Sequence, residues 1–362
     1  MNPQEHELTY PWADVPAPGT LTTLRPGVHW LRMPLPFALD HINLWLLDDE
    51  IDGREGFTAI DCGISSDPTR AAWEQIFDTA FGGKPLLRVL TTHFHPDHFG
   101  LAWWLTEGGD RKRWQAPLWM PLGEYAFGRM LSGHKGELAN ETGMRAAAHF
   151  AANGLRDAAA LEKVVARGSN HYPKLVPAVP LSFRRIADGD EIAIGRHGAK
   201  RLFRVLIGFG HAPEHASLYC ATDRLLVSGD MVLPRISTNV SVFDIEPEGN
   251  PLPRYLRSLD HYLMLPADTL VLPSHGKPFL GLHRRVVQQH EHHQARLDEV
   301  LNACAQPVDG SEIVRVMFKR ELDLHQMTFA LGEALAHLHA LWYDGLVERR
   351  RGDDGVFRFV RP

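Results

Sequence analysis

Apolar positions along the chain recur with two different periods, and the switches between them mark out the elements. "GVHWLRM", "INLWLL" and "FTAID" are short runs of β-branched, aromatic and aliphatic residues, the pattern of strands. "PTRAAWEQIFDTAFGG" changes to a helical period and closes on glycines. "LLRVLTT" then predicts a buried strand, "GLAWWLTE" a helix and "APLWMP" another short strand. A strand–helix–strand rhythm predicts a layered α/β domain. Residues 1–26, rich in Pro and Thr, predict an extended arm in front of it.

Residues 122–175 change character. "NETGMRAAAHFAANG" and "LRDAAALEKVVARG" are Ala-rich and end in glycine, so this stretch predicts a helical insertion. Strand patterns resume with "FRRIADGDEIAIG", a predicted hairpin turning at Asp188-Gly189-Asp190. "RLFRVLIGFGH", "ASLYCATDRLLVSGD" and "DTLVLPSHG" continue the strands. From residue 283 the period is helical again: one long helix to residue 303, two more in "SEIVRVMFKR" and "MTFALGEALAHLHALWYDG", then two short strands around Gly-Asp-Asp-Gly. Helices followed by a β-ribbon predict a small winged-helix-like domain over 283–362, after a catalytic domain over 1–282.

Composition adds little to this picture except in one residue type. The 362 residues, 44% of them hydrophobic, suffice for a large core and more than one domain. A net charge of −6 argues against a globally basic nucleic-acid binder. Cys62, Cys220 and Cys304 are far apart, which predicts reduced thiols and a cytoplasmic protein rather than a disulfide framework. The first twenty residues lack the apolar core of a signal peptide, and no apolar run reaches the length of a membrane span. The 21 histidines do change the picture, because imidazole serves metal and proton chemistry.

Three of them stand with an aspartate in "TTHFHPDHFG", directly behind the strand "LLRVL". His93 and His95 are two apart, so on extended chain they point the same way. Asp97 and His98 follow Pro96, where the chain must turn. Four ligating groups can thus converge from one strand end and its loop, a set that suits zinc and its neighbours but is too large for one tetrahedral ion. Other strand ends supply partners: His211 in "GFGHAPEH", Asp230 in "LLVSGD" and His275 in "VLPSHG". Alone, a His near a strand end is usually an ordinary polar residue. The H-x-H-x-D-H run is different, because bland packing does not require that spacing.

"HFHPDH" with downstream "GHAPEH", "SGD" and "SHG" resembles the metallo-β-lactamase superfamily of binuclear hydrolases, over residues 20–280. The resemblance implies an α/β (α+β) fold, an αββα sandwich with two divalent metal ions at one edge, zinc first, with iron or manganese as alternatives. It implies that His93, His95 and His211 hold one ion, that Asp97, His98 and His275 hold the other, and that Asp230 bridges them. This set is more similar to the glyoxalase II, lactonase and ribonuclease branches than to true β-lactamases. It also implies that Asp61, in "AIDCG", accepts a proton from a metal-bound histidine. The third motif departs from the usual Gly-His-Thr-Pro-Gly-His: Glu214 replaces a glycine and adds a charge near the site. His215 is expected to support the metal shell or substrate rather than to ligate. The "HEHHQ" run, His290–His293, is expected on a solvated helix face.

Asp97 is the expected catalytic group, orienting a metal-held hydroxide while ligating. The leading expectation is a hydrolase of a small ester, thioester or lactone, supported by the acidic balance, the Trp-rich "AWWL" and "APLWMP", and the apolar insertion. In the insertion, Tyr125, Arg129, His134, Arg145, His149, His171 and Tyr172 are candidates for substrate contact, each more readily explained as an ordinary helix-surface residue. The alternative is a phosphodiesterase or endoribonuclease acting on single-stranded RNA, since related ribonucleases carry a winged helix and "ERRR" could contact phosphates. Nearby carboxylates nearly cancel those arginines, so nucleic acid is not favoured. The apolar pattern of Leu335, Leu338, Leu341 and Trp342 predicts packing on the catalytic domain or in a homodimer.

Overall fold

The computed structural model describes residues 2–108, 116–134, 136–168 and 171–362. Two sheets face each other. The first has seven strands in chain order: β1 (Leu21–Arg25), β2 (Val28–Pro34), β3 (His41–Ile51), β4 (Arg54–Ile60), β5 (Leu86–Leu90), β6 (Leu118–Met120) and β7 (Arg184–Arg185). β1 to β4 form an antiparallel meander, and β4 to β7 pair in parallel. Parallel pairing needs crossovers, and helices supply them. α1 (Asp67–Thr79) joins β4 to β5; the single turn α2 (Pro96–Phe99) and α3 (Ala102–Thr106) follow β5.

Between β6 and β7 lies the helical insertion: α4 (Leu122–Ser132), α5 (Glu137–Ala152), α6 (Ala158–Arg167) and α7 (His171–Leu175). Residues 135, 169 and 170 of the predicted insertion lie outside the described residues. The second sheet contains β8 (Glu191–Ile194), β9 (Arg201–Gly208), β10 (His215–Cys220), β11 (Leu225–Gly229) and β12 (Leu270–Pro273), and α8 (Pro251–Asp260) carries the parallel crossover from β11 to β12.

Both faces of both sheets are covered. Trp30, Trp45, Ile60 and Leu90 meet Phe203, Val205, Leu218, Val227 and Leu272 between the sheets. On the outside of the first sheet, Leu44, Leu46 and Phe57 pack under Trp73, Ile76 and Phe77 of α1. Neighbours Leu44 and Trp45 face opposite layers, both apolar, which is why "INLWLL" is a continuous run rather than an alternation. On the outside of the second sheet, Leu226 and Val271 pack under Tyr255 and Leu259 of α8, Val286 of α9 (Leu282–Ala303) and Leu335 and Leu338 of α11 (Leu324–Tyr343). The layers are therefore αββα, as the resemblance implies.

α9, α10 (Gly310–Met317) and α11 precede the ribbon of β13 (Glu348–Arg351) and β14 (Phe357–Val360), the predicted order of elements. Capping boxes at Asp309/Glu312 and Asp323/Gln326 start α10 and α11. This region shares one apolar cluster with the sandwich: Leu335, Leu338 and Leu341 are buried within the chain. The insertion joins the same cluster through Phe150, Leu155 and Val164, and Arg156 pairs with buried Asp309 at 2.8 Å.

Three expectations need correction. "FRRIADGDEIAIG" is not a hairpin: β7 pairs with β6, the chain turns where Ala187 N–H donates to Asp190 Oδ2 at 2.8 Å, and β8 pairs with β9 in the other sheet. The Asp-Gly-Asp signal fixes a bend, but inter-sheet packing of Ile186 and Ile192 decides which sheet receives the next strand. The arm is structured: Leu21–Arg25 is the first strand, Thr9 bridges Leu280, and Asn2 Nδ2 donates to Gln288 at 2.8 Å. Finally, His293 is fully buried against His337, its Nδ1 3.2 Å from His337 Nε2, so the His290–His293 run is only partly solvated.

Candidate metal centre

β5 ends at Leu90, and the next residues leave the sheet at its edge. Pro96 starts α2 at its first position, where its missing N–H costs nothing. That single turn brings Asp97 and His98 behind His93 and His95. β9, β11 and β12 end at the same edge and deliver His211, Asp230 and His275.

The seven side chains form two clusters. His93, His95, His211 and Asp230 present ligand atoms within 4.8 Å of one another, as do Asp97, His98 and His275. His93 Nε2 lies 2.9 Å from His95 Nδ1 and 3.2 Å from His211 Nε2. His275 Nε2 is 3.4 Å from Asp97 Oδ2, and His98 Nε2 is 3.6 Å from it. Asp230 faces both clusters, with Oδ2 3.5 Å from His211 Nε2 and Oδ1 3.5 and 3.6 Å from the Nε2 atoms of His275 and His98. The fold thus brings together all seven residues that the resemblance names as candidate ligands.

The outer ring nitrogens are held from behind. His98 Nδ1 donates to Asp61 Oδ2 at 2.8 Å, His211 Nδ1 to the Asn239 carbonyl at 2.7 Å and His275 Nδ1 to the His41 carbonyl at 2.8 Å. Each bond sets a tautomer that turns the Nε2 lone pair inward. Asp61 adopts φ +64°, an uncommon backbone for a non-glycine residue, and also accepts from Thr92 N–H at 2.7 Å. His215 lies behind the site: its Nε2 accepts from Asp230 N–H at 3.0 Å and so holds the backbone of the aspartate that faces both clusters. A Cβ at Gly229 would come within 2.3 Å of this ring, so the ring's approach requires glycine there.

The donor set fits divalent cations. His98 Nε2 and Asp230 Oδ1 are buried without a hydrogen-bond partner, an arrangement that costs free energy unless something else satisfies them. Imidazole nitrogens and carboxylate oxygens are the ligands that zinc, iron and manganese accept. Burial and the neighbouring imidazoles, His98 first, hold His93 neutral, and burial and His211 bring His95 down to about 3. For Asp97, burial opposes ionisation, but His98 and His275 outweigh it and bring the carboxyl to about 2.

One supporting residue escaped the sequence reading. Glu124, fully buried in the first turn of α4, accepts from Phe94 N–H at 2.9 Å through Oε2 and from Glu214 N–H at 2.5 Å through Oε1. It ties the His93–His95 loop to the His211 loop. Burial pushes its pKa up to about 8, while the two N–H donors pull the other way. Nothing local signals this role, because "PLGEYAF" reads as an ordinary helix start. Glu214 turns away from the metal clusters and accepts from Gly123 N–H at 2.7 Å.

A cavity of about 1110 Å³ opens on the centre and reaches Asp97, Asp230, His95, His211 and His275. Its other walls are the loop Leu35–Leu39, Phe94, Phe127 and Leu131 from the insertion, Phe209, Phe243 and Ile245, and Phe318, Phe329 and Glu333 from the C-terminal region. Of the insertion candidates, His171 and Tyr172 line it. The Tyr172 hydroxyl donates to the Phe94 carbonyl at 2.6 Å and so braces the metal loop. Tyr125, Arg129, His134, Arg145 and His149 lie outside the lining: Tyr125 donates to the Pro180 carbonyl at 2.8 Å and Arg145 pairs with Asp244 at 3.2 Å. The tryptophans of "AWWL" and "APLWMP" do not line it either; Trp104 stacks on Phe77 and Trp119 lies under Arg184.

Residues 39–275, which contain all seven clustered groups, match the model of the metallo-beta-lactamase superfamily. The chain belongs to this superfamily. Residues 297–362 match its metallo-beta-lactamase-like C-terminal domain model, which begins inside α9. A beta-lactamase domain protein from Burkholderia ambifaria is 57% identical, with 99% of each chain covered and a TM-score of 0.92. A metallo-beta-lactamase family protein from Thermus thermophilus is 28% identical, with 94% of this chain and 100% of that one covered and a TM-score of 0.75. The sec-alkylsulfatase Pisa1 from Pseudomonas sp., at 18% identity, TM-score 0.51, and with 90% of this chain and 50% of that one covered, shares the fold. Superfamily membership and the clustered donors make this metallo-beta-lactamase protein a metal-dependent hydrolase.

Proposed function

We propose that this hydrolase acts through two divalent cations on an ester, thioester or lactone of a small molecule with a large apolar part. His93, His95, His211 and Asp230 would hold one cation, and Asp97, His98, His275 and the second oxygen of Asp230 the other. Zinc is the first candidate. A cation pair of this kind supplies Lewis acidity and a water that is deprotonated near neutral pH. The chain supplies the rest. Asp97 has a second carboxylate oxygen with which to accept a hydrogen bond from the attacking water and hold its lone pair toward the carbonyl. Phe94, Phe127 and Phe209 shield the reacting carbonyl from bulk water, and the apolar walls take up the non-reacting part of the substrate.

The observation that carries the substrate class is the cavity's lining of Phe and Leu side chains from six separate segments. A single strand of RNA needs a cationic track for its phosphates; Arg167, Arg254 and Arg320 line the cavity beside Asp244, Glu246 and Asp323, and three arginines of the terminal ribbon are held in local pairs. Arg349 lies 3.9 Å over the Trp342 ring and pairs with Glu248 at 2.7 Å; Arg350 pairs with Glu348 at 2.5 Å and Arg358 with Asp354 at 2.6 Å. No helix of the described residues is long and apolar enough to cross a membrane, and the three cysteines are buried and unpaired.

The test is a panel of aryl and alkyl esters, thioesters, lactones, a phosphodiester and single-stranded RNA, assayed on protein loaded with zinc, manganese or iron. Metal analysis should return two ions per chain, and turnover should rise with the apolar length of the acyl group. One ion or none after loading, or cleavage confined to the phosphodiester and RNA, would overturn the proposal.

A further inference from the structure

The segment after Asp230 supplies two of the groups that hold the centre from behind. Thr238 Oγ1 donates to the Asp230 carbonyl at 2.5 Å, and the Asn239 carbonyl accepts from His211 Nδ1. Neither residue belongs to a helix or strand, so something outside must fix them. Arg285 of α9 holds the Ile236 carbonyl before them at 2.7 Å, and α11 holds the residues after them. Val242 N–H donates to the Gly332 carbonyl at 3.0 Å, and Ser241, whose hydroxyl donates to Asn239 Oδ1 at 2.8 Å, lies directly on Gly332. A Cβ built on Gly332 would come within 2.8 Å of Ser241 Cβ and 2.9 Å of its Oγ, closer than Cβ atoms approach a neighbour.

Glycine in a helix interior weakens the helix, and α11 has Gly332 near its middle with ordinary helical backbone. The residue is explained by close approach rather than by a turn. The far end of the same segment is pinned by α11 as well: His339 Nδ1 donates to the Gly249 carbonyl and the Tyr343 hydroxyl to the Glu248 carbonyl, each at 2.8 Å.

We infer that α11 is a splint for the metal centre, with Gly332 as a positioning residue: its bare Cα lets residues 238–242 seat at the depth where Asn239 orients His211. The C-terminal region then acts on the cluster of His93, His95 and His211 without contributing a ligand to it. This inference rests on the ligand set proposed above.

Gly332→Ala and the bulkier Gly332→Val test it in the full-length protein, with metal affinity measured by competition against a chromophoric chelator. Displacing a partner of a ligating histidine costs about tenfold or more in metal affinity. The expected result is a loss of that size for the ion held by His211, well beyond any change for the ion held by Asp97, His98 and His275. Ser241→Gly in the Gly332→Ala background removes the opposing Cβ and should restore most of the affinity. Nitrogen NMR of His211 in metal-free protein gives an independent reading: Nδ1–H in the parent, a tautomer mixture in the Gly332 variants. Unchanged affinity for both ions in Gly332→Val, equal weakening of both ions, failure of the Ser241→Gly rescue, or an Nε2–H tautomer in the parent would each overturn the inference and leave the hydrolase reading intact. A parent protein that binds no metal would overturn both.

Discussion

Replacing Glu124 by Gln probes the tie between the two metal loops while keeping the size of the side chain. In the parent above about pH 8, where burial no longer keeps the carboxyl protonated, both carboxyl oxygens accept a backbone N–H, from Phe94 and from Glu214. The amide keeps one acceptor and turns an NH2 toward the other N–H, so one buried donor loses its partner. An unsatisfied buried group costs about 1–3 kcal/mol. The loss falls on two loops held by this residue, so it should appear as easier local opening before it appears as global unfolding. At about 1.4 kcal/mol per factor of ten, the amides of Phe94 or Glu214 should lose about five- to 150-fold of their hydrogen-exchange protection. Amides of β3 and β10, in the sandwich core, serve as the internal control and should keep theirs. Metal affinity should fall alongside, because the loops carry His93, His95 and His211. Parental protection at both amides together with parental metal affinity in the Glu124→Gln variant would refute the reasoning.

Asp97→Asn should leave the fold intact but lower turnover by orders of magnitude and weaken the ion of the second cluster, since an amide ligates poorly; steady-state kinetics and metal analysis check both. Burial raises the Glu333 carboxyl from the ordinary 4.5 to about 7, with Arg296 opposing. The folded state therefore keeps its proton where the unfolded chain has lost it, so this contribution to stability is full below about pH 4.5 and is lost as pH rises to about 7. Glu333→Gln should flatten that part of the urea-stability profile, and a profile of this variant that still falls over the same window would count against the assignment. Changing Arg349, Arg350 and Arg351 together to alanine should cost about 1 kcal/mol of stability, mostly from Arg349 over Trp342, and should leave RNA binding as weak and salt-insensitive as in the parent. Micromolar, salt-steep RNA binding that the triple variant abolishes would promote the phosphodiesterase reading.

The sequence by itself determined the candidate donors and the order of strands and helices. "HFHPDH" concentrates four donors behind a strand because spacing along an extended chain and a proline turn are local properties, written in consecutive residues. The same holds for the helical periods of α1, α9 and α11 and for the doubly apolar run of β3. What the sequence could not carry is what depends on groups far apart in the chain. Glu124 supports Phe94 and Glu214, which lie 30 and 90 residues away, and its own neighbours show only a helix start. The Asp188-Gly189-Asp190 turn specified a bend, while packing between the sheets sent the next strand to the other side. His293 sits in a polar run yet is buried, because α11 covers it. Tryptophans beside the His93–His98 loop pack away from the cavity, Trp104 on Phe77 and Trp119 under Arg184, and the substrate walls came instead from the insertion, the segment after β11 and the C-terminal helices. Each donor sits in a local motif at a strand end and is therefore legible. The support of the centre and the shape of its cavity arise from tertiary contacts, and only the fold brings those residues together.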